Sequence, residues 1–230
     1  KMVRDKSTII TVKEETIDDA ILATELLKKD SRIDSHNIFI IGHSMGGMLA
    51  PRIDSEGGKY KGLIIMAGTP RKLEDVMLEQ NEAVLSSTKG LVNWIVRKQV
   101  AKLSGLFSGL YELSDEEAKK KKVMGGTTLY YFKEMGEHSV ADYLATTKKP
   151  MLIVQGEKDF QVSVEKDFNE YKRLLNDKTN VEFRLYENLN HAFVNYLYSD
   201  ILKAKQEYNT ERHIGEEVIS DIADWIMKNV

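Results

Sequence analysis

A tight turn after an apolar run is the feature that most constrains this chain. The run Ile38–Ile41 is followed directly by residues 42–47, which read Gly-His-Ser-Met-Gly-Gly and contain a Gly-x-Ser-x-Gly pattern. This pattern is typical of a sharp passage from a buried strand into a helix, and the glycines fit its steric demand. It predicts that Ser44 is a nucleophile and that the backbone N–H of Met45 forms half of an oxyanion hole.

A glycine-rich turn between a strand and a helix can also hold a phosphate. The sequence contains neither Gly-x-x-x-x-Gly-Lys-Ser/Thr nor Gly-x-Gly-x-x-Gly, which are the patterns of nucleotide-binding turns. The nucleophile interpretation therefore takes precedence over phosphate binding at this turn.

Composition narrows the classes of protein to which the chain can belong. Its 230 residues, 42% hydrophobic and 30% charged, predict one soluble globular domain with a small insertion. With a net charge of −3 it is not expected to bind nucleic acid. No apolar stretch reaches the roughly 18 residues of a membrane span, and the first residues do not form a signal peptide. The absence of cysteine excludes disulfides, thiolate metal sites and a cysteine nucleophile, and leaves the compartment undecided.

Three further apolar segments predict strands. Residues 62–67 and 151–154 are short, continuous and rich in branched side chains, as in strands buried on both faces. In Val181–Tyr186 apolar and polar residues alternate, which predicts an edge strand with Val181, Phe183 and Leu185 facing inward. Because these strands alternate with helical patterns, the sequence predicts an α/β fold with a mostly parallel sheet covered by helices.

Helical patterns fill the segments between these strands. Thr16 is predicted to cap a helix that ends near Lys29, and Ser163 to cap a helix after the third strand. A closing helix carries one apolar face, formed by Val218, Ile222, Trp225 and Ile226.

Residues 71–149 interrupt the alternation of strands and helices. They offer several helical patterns and no convincing strand, which predicts a helical insertion. Ser114 and Glu117 form a capping box, and Gly125-Gly126 is predicted to act as a joint.

Two polar segments follow the third and fourth predicted strands. Asp159 lies in the first of them and His191 in the second, and the carboxyl ends of parallel strands meet at one edge of a sheet. The chain order Ser44, Asp159, His191 is that of one particular serine-hydrolase architecture, and it differs from the orders in chymotrypsin and subtilisin.

On these residues the chain resembles the α/β-hydrolase family, especially its bacterial serine-aminopeptidase-like and acyl-esterase-like members, over nearly its whole length. Gly156–Asp159 and Asn190–Phe193 are similar to the family's acid turn and histidine segment. The resemblance implies that Ser44 attacks an acyl carbon, His191 transfers the proton and Asp159 orients the imidazole. It also implies a hydrolase core of residues 1–70 and 150–230, a helical cap of residues 71–149, and no cofactor.

Other assignments of the same roles remain open. Glu157 is an alternative acid, although its place in the turn favours exposure to solvent. His43 is too close to Ser44 in sequence to act as its base, so we expect it to line or support the site. We expect His36 to lie at the surface, His138 in the insertion and His213 at the start of a helix. No His-Glu-x-x-His pattern or carboxylate cluster indicates a metal.

The resemblance also implies strands that this sequence does not supply. The family's sheet has several strands before the nucleophile strand, whereas the residues before Ile38 have room for a helix and little else. An apolar strand without a neighbour would be an exposed sheet edge, which proteins avoid. We therefore expect the missing N-terminal strands to come from upstream residues or from another chain.

The leading hypothesis is a serine hydrolase that cleaves a carboxylic ester or a small amide through an acyl-enzyme. A peptidase-like hydrolase of small peptides is the first alternative. A non-catalytic ligand-binding or interaction protein that keeps the fold is the second, because the segment carrying the other oxyanion donor is missing.

Overall fold

The computed structural model describes residues 9–123, 126–197 and 201–230, and within them the chain forms a four-stranded parallel sheet. Its strands are β1 (Ile40–His43), β2 (Leu63–Met66), β3 (Met151–Gly156) and β4 (Val181–Tyr186), in the order β1-β2-β3-β4. All neighbouring pairs are parallel, so the four carboxyl ends lie at one edge of the sheet. The predicted parallel sheet is confirmed.

The described residues also form ten α-helices, joined by shorter 3-10 and π-helical turns. In chain order they are α1 (Asp18–Lys29), α2 (Met45–Ile53), α3 (Leu73–Ser87), α4 (Gly90–Phe107), α5 (Asp115–Lys120), α6 (Leu129–Glu137), α7 (Val140–Thr146), α8 (Asn169–Leu174), α9 (Ala204–Asn209) and α10 (Glu216–Asn229). None of these helices is long and apolar enough to cross a bilayer.

The chain divides into two compact units. One comprises the residues up to Ala20 together with 72–138, and the other comprises residues 21–71 and 139–230. The whole sheet belongs to the second unit, in which α1 from Ile21 onward, α2 and α7–α10 are its helices.

The sheet unit has a core between the strands and α10. β3 is buried along its whole length, as predicted for a strand covered on both faces. Phe39 and Trp225 meet edge to face with ring centroids 5.9 Å apart. The other buried members of this core come from β2 and the residue after it, from β3, from the end of β4 and the loop that follows it, and from α10. They are Ile64, Ala67, Leu152, Val154, Tyr186, Leu189, Phe193 and Val218.

The helical unit has its own core and no strand among its described residues, apart from one isolated bridge between Lys122 and Thr128. The Ser114–Glu117 capping box is confirmed at the start of α5. Gly125, the first residue of the predicted joint, lies outside the described residues. The buried core members are Leu103, Phe107, Leu110, Ala118, Val123, Leu129 and Phe132.

The inward face predicted for β4 is wrong at its carboxyl end. Leu185 is 43% exposed, whereas Tyr186 is only 7% exposed. Different elements pack on the two faces of this edge strand, because Phe183 packs against Phe168 while Tyr186 donates a hydrogen bond to Asp221 on α10. Simple alternation assumes that one face is buried along the whole strand, whereas here Arg184 and Leu185 are both exposed and Tyr186 is buried.

The predicted cap at Thr16 is also wrong, since a π-helical turn (Lys13–Ile17) precedes α1 and contains Thr16. Thr11 and Glu14 begin this segment instead. The Glu14 carboxylate accepts from the backbone N–H and the hydroxyl of Thr11, at 2.8 and 2.6 Å. The reciprocal bond comes from the backbone N–H of Lys13 to the Thr11 hydroxyl, at 3.2 Å. Residues 11–14 carry the Thr-x-x-Glu signature of a capping box, so the start of this helical segment could have been predicted from them.

Candidate active site

Ser44 lies at the junction between β1 and α2, in a strained backbone conformation. Its φ and ψ are 56° and −120°, which non-glycine residues rarely adopt. The conformation is held at both ends, because the Ser44 N–H donates to Met66 O at 2.8 Å and the Ser44 carbonyl accepts from Met48 N at 3.1 Å. The local fold therefore fixes the serine at the carboxyl edge of the sheet.

Two glycines make this turn possible. A Cβ at Gly42 would lie 2.2 Å from the carbonyl oxygen of Gly46, and one at Gly47 would lie 2.9 Å from the carbonyl oxygen of Gly42. No heavy atom lies within 4 Å of a Cβ placed on Gly46. The sequence pattern predicts that a side chain is excluded at Gly46, but the structure excludes one at Gly47 instead. At Gly46 it is the backbone carbonyl that lies close to Gly42.

Met45 is the first residue of α2, so its backbone N–H lies at the positive end of the helix dipole. Such a position favours an anion or a developing negative charge. The side chain of Met45 reaches solvent.

Asp159 is buried in the turn after β3 and its carboxylate accepts four hydrogen bonds. One oxygen accepts the backbone N–H groups of Gln161 and Val162 at 2.8 and 3.0 Å. The other accepts Gln155 Nε2 and His191 Nδ1, both at 2.7 Å. Since backbone and amide N–H groups only donate, this environment suits the ionised carboxylate.

His191 lies in the loop after β4, buried beside the acid turn. Its Nδ1 proton is directed to Asp159, which leaves Nε2 of the neutral ring as an acceptor. The two loops approach closely because Gly156 has no side chain: a Cβ there would lie 2.5 Å from the carbonyl oxygen of Leu189. The backbone N–H of Lys158 also donates to that carbonyl, at 2.9 Å.

His43 links the turn at Ser44 to the loop that carries His191, called the histidine loop below. Its Nε2 lies 2.8 Å from the backbone oxygen of His191, and the two rings have centroids 4.8 Å apart. The structure thus brings His191 beside the end of β1, one residue before Ser44. Within the described part of the chain, the Ser44 hydroxyl itself forms no hydrogen bond with His191.

A buried polar network holds the histidine loop from behind. Asn190 Oδ1 accepts from the backbone N–H of Ala192 at 2.9 Å, and its Nδ2 donates to Glu207 Oε1 on α9 at 3.0 Å. Arg212 pairs with the same oxygen at 3.1 Å. The ring orientation of His191 therefore depends on contacts from the segment that follows the loop.

Tyr208, also on α9, borders the acid turn. Its ring lies 6.0 Å from that of Phe160, and its hydroxyl accepts a hydrogen bond from Gln161. Burial raises the pKa of Tyr208 to about 12, and the nearby Asp159 carboxylate acts in the same direction. This hydroxyl therefore stays neutral in the pH range in which an imidazole titrates.

The alternative residues lie elsewhere. Glu157 points to solvent, where it pairs with Lys158 at 3.2 Å, and it does not approach His191 through any contact that the described residues show. His138 lies on the helical unit near Glu134, at 3.5 Å, and His213 is exposed before α10. No group of three or more His, Asp or Glu side chains in residues 9–123, 126–197 and 201–230 is arranged to hold a metal ion.

Sequence reasoning missed Gln155, which donates to Asp159 and to the backbone oxygen of Val162. It is a fully buried polar residue in an otherwise apolar strand. A buried amide needs partners, so its place directly after the apolar run of residues 151–154 was a usable signal.

The serine aminopeptidase, S33, family matches residues 8–196 of this chain. The chain is also 30% identical over 221 residues to the esterase EstD of Thermotoga maritima. That alignment covers 96% of this chain and 50% of EstD, so the chain spans half the length of this relative.

Solved structures of esterases and lipases share the fold. An esterase from Pyrococcus furiosus matches with a TM-score of 0.53 and 18% identity, over 95% of this chain and 63% of its own. A monoacylglycerol lipase from Paleococcus ferrophilus matches with a TM-score of 0.52 and 15% identity, over 98% of this chain and 78% of its own. At such identities the likeness concerns the fold alone, and it confirms the expected α/β-hydrolase architecture.

Proposed function

The chain belongs to the serine aminopeptidase S33 family of hydrolases, and on that premise we propose that it cleaves carboxylic esters through an acyl-enzyme. Ser44 is the proposed nucleophile, His191 the base and Asp159 the acid. The observation that carries the proposal is the 2.7 Å hydrogen bond between His191 and the buried Asp159, at the sheet edge where Ser44 occupies its strained turn.

In the proposed reaction His191 Nε2 takes the proton of the Ser44 hydroxyl as its oxygen bonds to the acyl carbon. The Met45 N–H stabilises the negative charge that develops on the carbonyl oxygen. His191 then protonates the leaving alcohol. In the second half of the reaction His191 takes a proton from water, whose oxygen attacks the acyl carbon, and it returns the proton to Ser44 as the carboxylic acid leaves. Asp159 keeps the imidazole oriented and stabilises its charged form.

An ester is the proposed substrate because the relative EstD is named as an esterase. Small peptides or amides remain the second candidate, since the family's description is that of an aminopeptidase. A panel of p-nitrophenyl esters of graded chain length, with aminoacyl-nitroanilides alongside, separates the two candidates by kcat/KM.

Labelling with a fluorophosphonate probe tests the nucleophile. We expect the wild-type chain to be labelled and Ser44→Ala to remain unlabelled, because only an activated serine attacks phosphorus at a useful rate. Ser108→Ala removes an exposed hydroxyl from the helical unit and is the matched control, expected to label like the wild type. Equal labelling of wild type and Ser44→Ala, or none in either, contradicts the proposal and leaves the non-catalytic alternative.

The domain assignment is part of the proposal. Residues 1–70 and 150–230 are assigned to the hydrolase core and residues 71–149 to a helical cap insertion. The grouping of residues 72–138, which contain α3–α6, into one compact unit and the location of the sheet outside it support an insertion in this range. The compact units differ from the assignment at two places, because α7 groups with the sheet and the residues up to Ala20 group with α3–α6.

A further inference from the structure

A cavity of about 560 Å³ lies at the amino-terminal edge of the sheet. Its walls come from the last turn of α1, the segment before β1, the segment before β2 and the residue that precedes Pro150. They are lined by Lys28, Ser35, His36, Lys59, Tyr60, Lys61 and Lys149. Since all strands are parallel, this edge is opposite the one that carries Ser44, Asp159 and His191.

Two of the four lysines are anchored in place. Lys149 Nζ pairs with Asp54 Oδ1 at 2.6 Å, and Lys28 Nζ donates to the backbone oxygen of Gly58 at 2.7 Å. An ammonium group has three donors, so each of these contacts fixes the group while other donors stay available to a ligand. Anchored side chains lose less conformational freedom when they bind.

The other two lysines, Lys59 and Lys61, are exposed and take part in no ion pair with any residue that the structure describes. Lys59 has a left-handed backbone, with φ 51° and ψ 51°, a conformation that glycine or asparagine adopts more easily. The conformation has a local cause, because Lys59 ends the π-helical turn Asp54–Gly58 and its backbone N–H donates to Asp54 O at 3.2 Å. The helix end therefore fixes the backbone here, while the ammonium groups of Lys59 and Lys61 stay open to a ligand.

Positive charge exceeds negative charge among the described residues that line the cavity, which include four lysines and no carboxylate. Two carboxylates interact with these lysines from outside the lining: Asp54 pairs with Lys149, and Asp34 is close enough to Lys61 for its pKa to be lowered. Asp34 is held by the backbone N–H of His36 at 3.0 Å and by Asn37 Nδ2 at 2.7 Å. Four ammonium groups thus share two carboxylates, and their mutual repulsion favours an added anion.

We propose that this cavity binds a small phosphate-bearing anion with at least two negative charges, such as a diphosphate group. Lysine acts as a point charge with rotatable donors, which suits the dispersed charge of phosphate oxygens. The half-buried Ser35 adds a neutral hydroxyl donor. The same chemistry occurs in free diphosphates and in anionic lipid headgroups, so the test includes both.

Isothermal titration calorimetry with pyrophosphate at low ionic strength tests the site. We expect saturable binding with one ligand per chain, which weakens as salt is added. The double variant Lys59→Ala/Lys61→Ala is expected to bind at least about tenfold more weakly, because it removes two of the four ammonium groups. Circular dichroism melting of the variant checks that it is folded.

The matched control is Lys172→Ala/Lys228→Ala, which removes the same net charge from exposed helical positions outside the cavity. This pair should keep the wild-type affinity. Absence of saturable pyrophosphate binding, or equal weakening by both pairs of substitutions, overturns the proposal.

Sedimentation with phosphatidylcholine vesicles, with and without phosphatidylglycerol, separates the two sources of phosphate. Pyrophosphate binding without vesicle association assigns the site to soluble anions. Pyrophosphate binding together with association that Lys59→Ala/Lys61→Ala abolishes assigns it to headgroups. Vesicle association in a chain that does not bind pyrophosphate contradicts a cavity site.

Discussion

At the scale of single residues, the candidate site depends on the buried carboxylate of Asp159, both oxygens of which accept hydrogen bonds. Each oxygen of Asp159 accepts two hydrogen bonds, and Gln155 is the one side-chain amide among these four donors. Elsewhere in the described part of the chain, the buried carboxylate of Glu74 is hydrogen-bonded through only one of its oxygens. Tyr111 donates to one oxygen of this buried carboxylate, and Oε2 has no partner among the described residues.

Gln155→Leu tests how far the acid depends on its amide donor. The substitution keeps the volume and removes a hydrogen bond to a charged group, which contributes about 1.5–3 kcal/mol. We expect kcat for a p-nitrophenyl ester to fall at least about tenfold with KM unchanged, because the imidazole is less well oriented. Gln206→Leu on the exposed face of α9 is the control. An unchanged kcat in Gln155→Leu removes the positioning role.

Glu74→Gln is expected to stabilise the protein at neutral pH. Burial raises the pKa of Glu74, with the Tyr111 hydrogen bond acting against it. The folded state therefore favours the protonated carboxyl, and the stability it contributes is lost as pH rises through the folded pKa. A neutral amide avoids this loss, so urea unfolding at pH 7 should show Glu74→Gln to be more stable than the wild type.

The gain from Glu74→Gln should shrink at about pH 4 and below, where the wild-type carboxyl is itself protonated. Glu82→Gln, at an exposed position of α3, should change stability by less than about 0.5 kcal/mol at either pH. A wild type more stable than Glu74→Gln at pH 7 contradicts the assignment.

At the scale of elements, the passage from β1 to α2 is governed by close backbone approach. Gly47 lies against two other backbone segments, since its Cβ would be 2.9 Å from Gly42 O and 3.2 Å from Gly68 Cα. Gly46 is one residue away in the same helix and has open space. The two positions form a matched pair that separates crowding from helix propensity.

Gly47→Ala should destabilise the chain by about 1–3 kcal/mol, because backbone atoms must move to admit the methyl group. Gly46→Ala should be neutral or stabilising by up to about 1 kcal/mol, since alanine favours the helix. The midpoint of urea unfolding measures both. Equal destabilisation by the two substitutions is incompatible with the geometry of this turn.

Much of this element structure was accessible from the sequence because its causes are local. The Ser44 turn follows from neighbouring glycines and an apolar run, and the cap at Ser163 was found from its own neighbours, with Ser163 Oγ accepting from Lys166 N at 3.3 Å. The burial of Tyr186 in place of Leu185 depends on α10, which is distant in sequence. The cluster of lysines before β1, β2 and β3 could not be predicted, since only the folded sheet assembles it.

At the scale of the whole molecule, the sheet unit rests on the core between its strands and the last helix. The chain contains two tryptophans, which sample different surroundings. Trp225 is 4% exposed and contacts Phe39, whereas Trp94 is 52% exposed on α4 with Lys98 Nζ 3.8 Å from its ring centroid.

Trp225→Ala should lower the free energy of unfolding by about 3–5 kcal/mol, because it leaves a large cavity in the core. Trp94→Ala should change it by less than about 1 kcal/mol, since a surface cation–π contact is weak. Urea unfolding followed by circular dichroism compares them without relying on tryptophan emission. A similar loss in both variants would mean that burial in this core is not what stabilises the sheet unit.

The parallel sheet gives the molecule a polarity with a practical consequence. The loops that succeed the strands carry one kind of chemistry and the segments that precede them carry another, separated by a rigid span of more than about 10 Å. Each end can therefore accumulate insertions or exchanges without disturbing its counterpart. A protein engineer could therefore exchange the exposed side chains of Lys59 and Lys61, leave the buried Tyr60 between them, and keep the opposite face as it is.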